Sequence, residues 1–244
     1  MIWRSLTCFS ILAAAVCTTL SLVGQTTATV SGTVELDNSR IESVAHGKDY
    51  SGVVISLRAV NQPVPTAPEK HAVMLQKNKM FTPHIMPVVA GTTIDFPNGD
   101  PIFHSAFSTY GGQIFDLGLY APGTSRSVRF RRPGIVRVFC NIHPSMSAVI
   151  LVLPTPYFVV TQRDGSFRMD VPPGSYDLEV FHERATDPVL RGLSRRILVE
   201  PAGIRIPPIV VSEAGYLIAP HKNKFGKDYD VAPDDQTIYP GNRR

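Results

Sequence analysis

From residue 29 onward the apolar runs are short, and clusters of turn-forming residues separate them. Ala90-Gly91, Pro97-Asn98-Gly99-Asp100, Pro122-Gly123, Pro133-Gly134 and Pro172-Pro173-Gly174-Ser175 are the clearest of these. Proline lacks an N–H donor and glycine weakens helices entropically, so 21 Pro and 18 Gly spread in this way exclude long helices and a helical bundle. Between the turns the side chains alternate with period two, as in Thr29-Val30-Ser31-Gly32-Thr33-Val34-Glu35-Leu36, or form short apolar runs, as in Gly52-Val53-Val54-Ile55-Ser56-Leu57. The expectation is an all-β fold built of sandwiches. A length of 244 residues allows one to two globular domains with a real core, and 18% charged residues argue against both disorder and a polytopic membrane protein. The net charge of +4 comes from 24 basic and 20 acidic residues with no dense Lys/Arg block, so nucleic acid is not an expected partner.

The N-terminus carries one positive charge in Met1-Ile2-Trp3-Arg4, and none between Leu6 and Val23. This reads as a secretory signal peptide over residues 1–28, cut after Ala28, with Gly24 as the other candidate end. A retained anchor is the alternative, although the run is near the lower length for a span and is diluted by Ser and Thr. Export to the periplasm or the exterior, with no membrane span after cleavage, is therefore expected. Cleavage removes Cys8 and Cys17 and leaves Cys140 as the only thiol, so no intrachain disulfide can form. A lone thiol in an oxidising compartment is liable to oxidation unless it is buried or bound to a metal.

The stretch Asn61-Gln62-Pro63-Val64-Pro65-Thr66-Ala67-Pro68 reads as an extended linker. Beyond it, strands are expected at 73–75, 85–89, 92–96, 126–130, 135–139 and 148–153. After Pro154-Thr155-Pro156 further strands are expected at 157–161, 167–171, 176–181, 196–199 and 206–211. The turn Arg163-Asp164-Gly165-Ser166 with its following strand, the Pro172-Pro173-Gly174-Ser175 turn and the next strand resemble the transthyretin-like repeat, also called the carboxypeptidase regulatory-like domain. That repeat usually opens with strands like Val30-Ser31-Gly32-Thr33-Val34 and Val53-Val54-Ile55-Ser56-Leu57. The resemblance implies that residues 29–62 and 155–213 form one smaller discontinuous sandwich into which residues 63–154 are inserted. A continuous three-part layout is the alternative. Residues 214–244 are expected to be a polar tail or a loop packed on the surface.

The chemistry concentrates in Phe139-Cys140-Asn141-Ile142-His143-Pro144-Ser145-Met146, a loop between two expected strands. Upstream, His104 lies in Asn98-Gly99-Asp100-Pro101-Ile102-Phe103-His104-Ser105, expected to be a loop after strand 92–96. One thiolate, two imidazoles and a thioether are the donors of a type 1 copper site, a trigonal His₂Cys set with a weak axial Met. Zinc takes Cys and His but seldom a thioether, and structural zinc sites usually recruit more cysteines than this chain keeps. Singly, His104 would be an ordinary loop histidine and Met146 core filler; the combination points to one copper per chain held by His104, Cys140, His143 and Met146. The remaining histidines, His46, His71, His84, His182 and His221, form no His-x-His pair of the kind a second copper cluster uses, so an electron-transfer protein is expected rather than an enzyme.

Residues 71–153 resemble a Greek-key cupredoxin β-sandwich of the plastocyanin, pseudoazurin and amicyanin group. Besides the Cys-x-x-His-x-x-Met loop, the resemblance rests on Met80-Phe81-Thr82-Pro83, Val89-Ala90-Gly91-Thr92-Thr93-Ile94-Asp95-Phe96-Pro97-Asn98 and Pro133-Gly134-Ile135-Val136-Arg137-Val138-Phe139-Cys140. It implies one-electron transfer between redox partners. A partner protein would dock near His143, on a face made by Ile142, Pro144, Pro101, Ile102 and Phe103. The same residues read equally as core and loop packing. The pairing of cupredoxin and transthyretin-like blocks resembles exported bacterial proteins labelled methylamine utilization proteins. Ser105 departs from the pattern, since many cupredoxins carry Asn there to bind across the two ligand loops. A copper carrier or sensor, and a structural or adhesion module in which copper is secondary, are the alternative functions.

Overall fold

The computed structural model describes residues 26–61, 71–109, 112–217 and 221–229. The expected signal segment up to residue 25, with Cys8 and Cys17, lies outside these residues, as does most of the Pro-rich linker. No helix among the described residues is long and apolar enough to cross a membrane. The fold is all-β, with two short helices, Glu42–Ala45 and Asp187–Leu193, lying in connections.

The strand Ala28–Asp37 alternates buried and less buried residues along its length, as its period-two sequence requires. It pairs antiparallel with Ser166–Val171 and parallel with Ile204–Arg205 and Ile209–Ser212. A single strand was expected over 206–211; Pro207 and Pro208 lack the N–H a ladder needs, so the pairing breaks there. The facing sheet runs Phe158–Val160, Val54–Ala59, Gly174–Phe181, Arg195–Val199. Val30, Val34, Ile55, Leu57, Tyr176 and Leu178 close the core between these two sheets, each fully shielded from solvent. Gly165 in the hairpin turn has φ +78°, and a Cβ there would stand 2.0 Å from the Val34 carbonyl oxygen, so the turn admits only glycine.

A second pair of sheets surrounds another core. One has five strands in the order Ile85–Val89, Ser147–Leu153, Gly134–Phe139, His104–Ser108, Phe115–Tyr120, and the other joins Ser125–Arg129, Thr93–Pro97 and His71–Val73. Ile94, Phe96, Phe130, Val136, Val138 and Ile150 fill the space between them, together with Cys140 and Met146. The hairpin of His104–Ser108 and Phe115–Tyr120 corrects the sequence reading, which placed His104 in a loop and expected no strand here. All five residues of His104–Ser108 are buried, so the strand lacks the alternation by which a half-buried strand is recognised. The expected strand 73–75 also divides, into His71–Val73 and Leu75–Lys77, with Met74 between them bonded to the Asp95 carbonyl oxygen.

Ser147–Leu153 explains how the two cores meet. Its run Ala-Val-Ile-Leu-Val-Leu is buried on both faces. Ala148, Ile150 and Val152 point into the second core, while Val149, Leu151 and Leu153 pack with Val54 and Phe181 of the first pair of sheets. Polar contacts rim this apolar joint. His84 Nε2 lies 2.9 Å from a Glu183 carboxylate oxygen, and Glu213 accepts from His182 Nε2 at 2.8 Å and from Arg184 Nε at 3.0 Å.

Candidate metal centre

The two antiparallel strands Gly134–Phe139 and Ser147–Leu153 are in register from Gly134↔Val152 to Phe139↔Ser147, so residues 140–146 must form the turn that joins them. Two backbone bonds close that turn: Cys140 N–H to the Met146 oxygen at 3.2 Å, and Met146 N–H to the His143 oxygen at 3.0 Å. Phe139 also pairs with Phe107, which brings the strand carrying His104 alongside the start of the turn. Three donors converge as a result. The His104 and His143 Nδ1 atoms are 3.1 Å apart, and Cys140 Sγ lies 3.6 Å from His143 Nδ1 and 4.0 Å from His104 Nδ1.

These spacings suit one small cation. An ion about 2.0 Å from each imidazole nitrogen and about 2.3 Å from the sulfur, at the centre of a planar triangle, would set the nitrogens about 3.5 Å apart and the sulfur about 3.7 Å from each. Among the described residues this is the one group of three or more His, Cys, Asp and Glu side chains that can hold a metal. His104 and Cys140 are fully buried, and His143 is half-buried. Met146, the fourth expected ligand, is fully buried in the same core as Cys140, and its backbone closes the ligand turn.

The electrostatics prepare the thiol for a metal. Burial pushes the Cys140 thiol up, but hydrogen bonds with His104 and His143 and from the backbone N–H groups of Ile142 and Ser105 outweigh it and pull the thiol down to about 5. At neutral pH the sulfur is then a thiolate, the form that ligates metals. His104 is pushed down by burial and up, by more, through Cys140 and Asp100. Asp100 Oδ2 lies 2.8 Å from His104 Nε2, fixing the ring so that Nδ1 faces the sulfur. Asp100 is itself held by the backbone N–H groups of Asn78 and Lys79, at 2.7 and 2.9 Å.

Ser105 braces the two segments that carry the converging donors. Its Oγ accepts the Asn141 N–H at 2.7 Å, tying the strand of the first histidine to the ligand turn, and lies 3.7 Å from Cys140 Sγ. Because the Asn141 bond uses an oxygen lone pair, the hydroxyl proton remains free to point at the thiolate. Two contributors escaped the sequence reading. Asp100 read as a turn residue, although its position four residues ahead of His104 was a usable signal. Residues 221–229 fall in the segment expected to be a polar tail or a loop packed on the surface; they pack, and what they pack on is the ligand turn. His221 stacks on Phe139 with ring centroids 4.0 Å apart, its Nε2 lies 2.7 Å from the Pro144 oxygen, and the Tyr229 hydroxyl donates to the Cys140 oxygen at 2.8 Å. Burial raises the Tyr229 phenol to about 12, so it stays a donor.

Of the residues expected to form a docking face, Pro101 and Pro144 are exposed, and Ile102, Phe103 and Ile142 are half-buried, Ile142 against the second core. His84 immediately precedes Ile85–Val89 and faces Glu183.

No protein-family model matches the chain, and no curated protein matches it. Among solved structures, the chain is similar to a Cu-containing nitrite reductase from Thermus scotoductus SA-01, at 23% identity and a TM-score of 0.33 over 40% of this chain and 25% of that one. It is similar also to a purple cupredoxin from Nitrosopumilus maritimus, at 18% identity and a TM-score of 0.31 over 35% of this chain and 100% of that one. Amicyanin from Paracoccus versutus is a third, at 20% identity and a TM-score of 0.32 over 41% of this chain and 97% of that one. The chain thus spans only a quarter of the nitrite reductase.

Proposed function

We propose that the chain is an exported type 1 copper protein that passes single electrons between redox partners. The observation that carries this reading is the buried thiolate of Cys140 facing two imidazole Nδ1 atoms, at 3.6 and 4.0 Å, with the nitrogens 3.1 Å apart. Two nitrogens and one thiolate in a plane, with a thioether nearby in sequence, are the preference of copper among the first-row metals. His104, Cys140 and His143 would hold the copper, with the Met146 thioether as a fourth donor. Copper bound there supplies a one-electron couple.

The chain's own residues do the rest. Cys140 arrives deprotonated, so metal uptake at neutral pH need not strip a proton from the sulfur. Asp100 holds His104 in one tautomer and one orientation, and Ser105 keeps the turn and the strand at fixed separation. Such bracing keeps the donors in place in either oxidation state. Burial of His104 and Cys140 keeps water from the sulfur, while half-buried His143 offers the shortest way to the surface. A redox partner docks at that ring, among Pro101, Ile102, Phe103, Ile142 and Pro144. The sandwich formed by residues 28–59 and 158–212 is the transthyretin-like module, and the segment ahead of it the export signal.

The test is titration of the purified mature protein with Cu(II), followed by visible absorption and electron paramagnetic resonance. An intense sulfur-to-copper charge-transfer band that saturates at one copper per chain, with narrow hyperfine splitting, is expected. A colourless protein whose Cys140 stays titratable would overturn the reading.

A further inference from the structure

The ligand turn is braced from within by Ser105 and Asp100, and from outside by a part of the chain far away in sequence. Residues 221–229, which follow Ile209–Ser212 in sequence, lie on the turn between Cys140 and Met146 of the other core. Residues 223–227 make a small closed unit: the Asn223 N–H bonds to the Lys227 oxygen at 2.9 Å, and Asn223 Oδ1 accepts the N–H groups of Phe225 and Lys227 at 3.0 and 3.1 Å. From residues 221–229 five contacts reach the metal centre's surroundings. The Lys224 N–H donates to Asn141 Oδ1 at 3.0 Å, and Lys224 Nζ pairs with Asp116 at 2.9 Å, on the strand beside that of His104. His221 covers Phe139 and bonds to the Pro144 oxygen, and Tyr229 bonds to the Cys140 oxygen. Tyr229 Oη and His221 Nδ1 are 3.2 Å apart, which links the last two contacts to each other.

We propose that residues 221–229 are a built-in clamp, with Tyr229 and His221 as positioning residues that hold the ligand turn in its metal-binding form. The clamp bonds the main chain at Cys140, at the side chain of Asn141 and at Pro144, on either side of His143. It thereby fixes the two ends of the arc on which the thiolate and the second imidazole sit, and leaves the His143 ring itself uncovered. Asn141 is held twice, by Ser105 through its N–H and by Lys224 through its side chain, so inner and outer braces meet at one residue. The clamp follows the last strand of the first pair of sheets in sequence, which gives that core a role at the metal centre.

The effect on the metal rests on the copper reading above, whereas the hold on the turn does not, and the experiment separates them. Tyr229→Phe removes one hydroxyl, and the double variant with His221→Phe keeps an aromatic ring on Phe139 while removing the nitrogen bonds. In metal-free protein, exchange of the Cys140 and Met146 amides is expected to rise roughly tenfold, the factor that matches one lost hydrogen bond, with the amides of Ser147–Leu153 unchanged. In protein loaded with Cu(II), the charge-transfer band and the reduction potential are expected to shift in the same variants. Leu198→Ala, at a side chain 57% exposed on the strand Arg195–Val199 of the other core, is the control and should move neither. Unchanged exchange in both variants overturns the clamp. Faster exchange with an unmoved band and potential overturns its positioning role and leaves a structural strap. If wild-type protein forms no band with copper, the copper reading fails, and the exchange measurement still decides whether the segment holds the turn.

Discussion

Ser105→Ala is the most discriminating single substitution at this centre, because it deletes one oxygen and almost no packing. Ser105 is buried, and its Oγ is the acceptor for the Asn141 N–H at 2.7 Å. Without it that donor has no partner among the described residues. A buried donor left unsatisfied costs about 1–3 kcal/mol, and Asn141 is only half-buried, so about 1–2 kcal/mol is expected. For a chain of this size that lowers the unfolding midpoint of the metal-free protein by roughly 3–6 °C. The same oxygen lies 3.7 Å from Cys140 Sγ, and loss of a group that orients a metal ligand typically lowers affinity by about 10–100-fold. Thermal unfolding of the metal-free protein and competition for copper against a chelator measure the two effects. Ser145→Ala, on the exposed side of the same turn, serves as the reference and should change stability by less than about 0.5 kcal/mol. If Ser105→Ala matches that reference in both assays, the bracing role given to Ser105 is wrong.

Three further outcomes are expected. Cys140→Ser should abolish the charge-transfer band yet keep a cooperative unfolding transition without metal, because the core around Ile94, Phe96, Phe130 and Ile150 does not depend on a ligand; loss of the transition would refute this. In metal-free protein, ultraviolet absorbance of the thiolate, corrected with Cys140→Ser, should titrate with a midpoint at about 5 rather than at the ordinary 9.0. At the joint, a hydrogen bond to Glu183 raises His84 against the opposing effect of burial. Its contribution to stability is therefore fully present below the ordinary imidazole value of 6.5 and is lost as pH rises through the raised one. Glu183→Gln should consequently lower the unfolding midpoint more at acidic than at alkaline pH, and an equal loss at both would refute the pairing as its source.

The strands were legible wherever one face of a strand meets water, as in Ala28–Asp37, and wherever Pro-Gly turns bound a run. The ligand turn was legible because Cys, His and Met stand close in sequence between two such strands. The strand of His104 was not, since His104, Ser105 and Ser108 are polar residues buried in a strand, each held by interactions that only the folded chain supplies. The clamp was illegible for a similar reason. Polar spacing in Lys-Asn-Lys-Phe-Gly-Lys-Asp-Tyr reads as solvated chain, and the partners of its backbone and rings lie about 80 residues upstream. Ser147–Leu153 was recognised as a strand, but a continuous apolar run does not reveal that its two faces serve different cores.

The pairing pattern also sets an order of assembly. Every strand partner of His71–Val73 through Ser147–Leu153 lies within that same stretch, so the ligand-bearing core can close as soon as residue 153 is available. Ala28–Asp37 and Val54–Ala59, made earlier, pair only with residues from 158 onward. During synthesis from the N-terminus, these two strands keep open hydrogen-bonding edges while the later core folds, which is when such edges are prone to wrong pairing. The turn of residues 140–146 forms in that interval, and residues 221–229 reach it last, so a nascent chain completes this turn before its outer brace has been made.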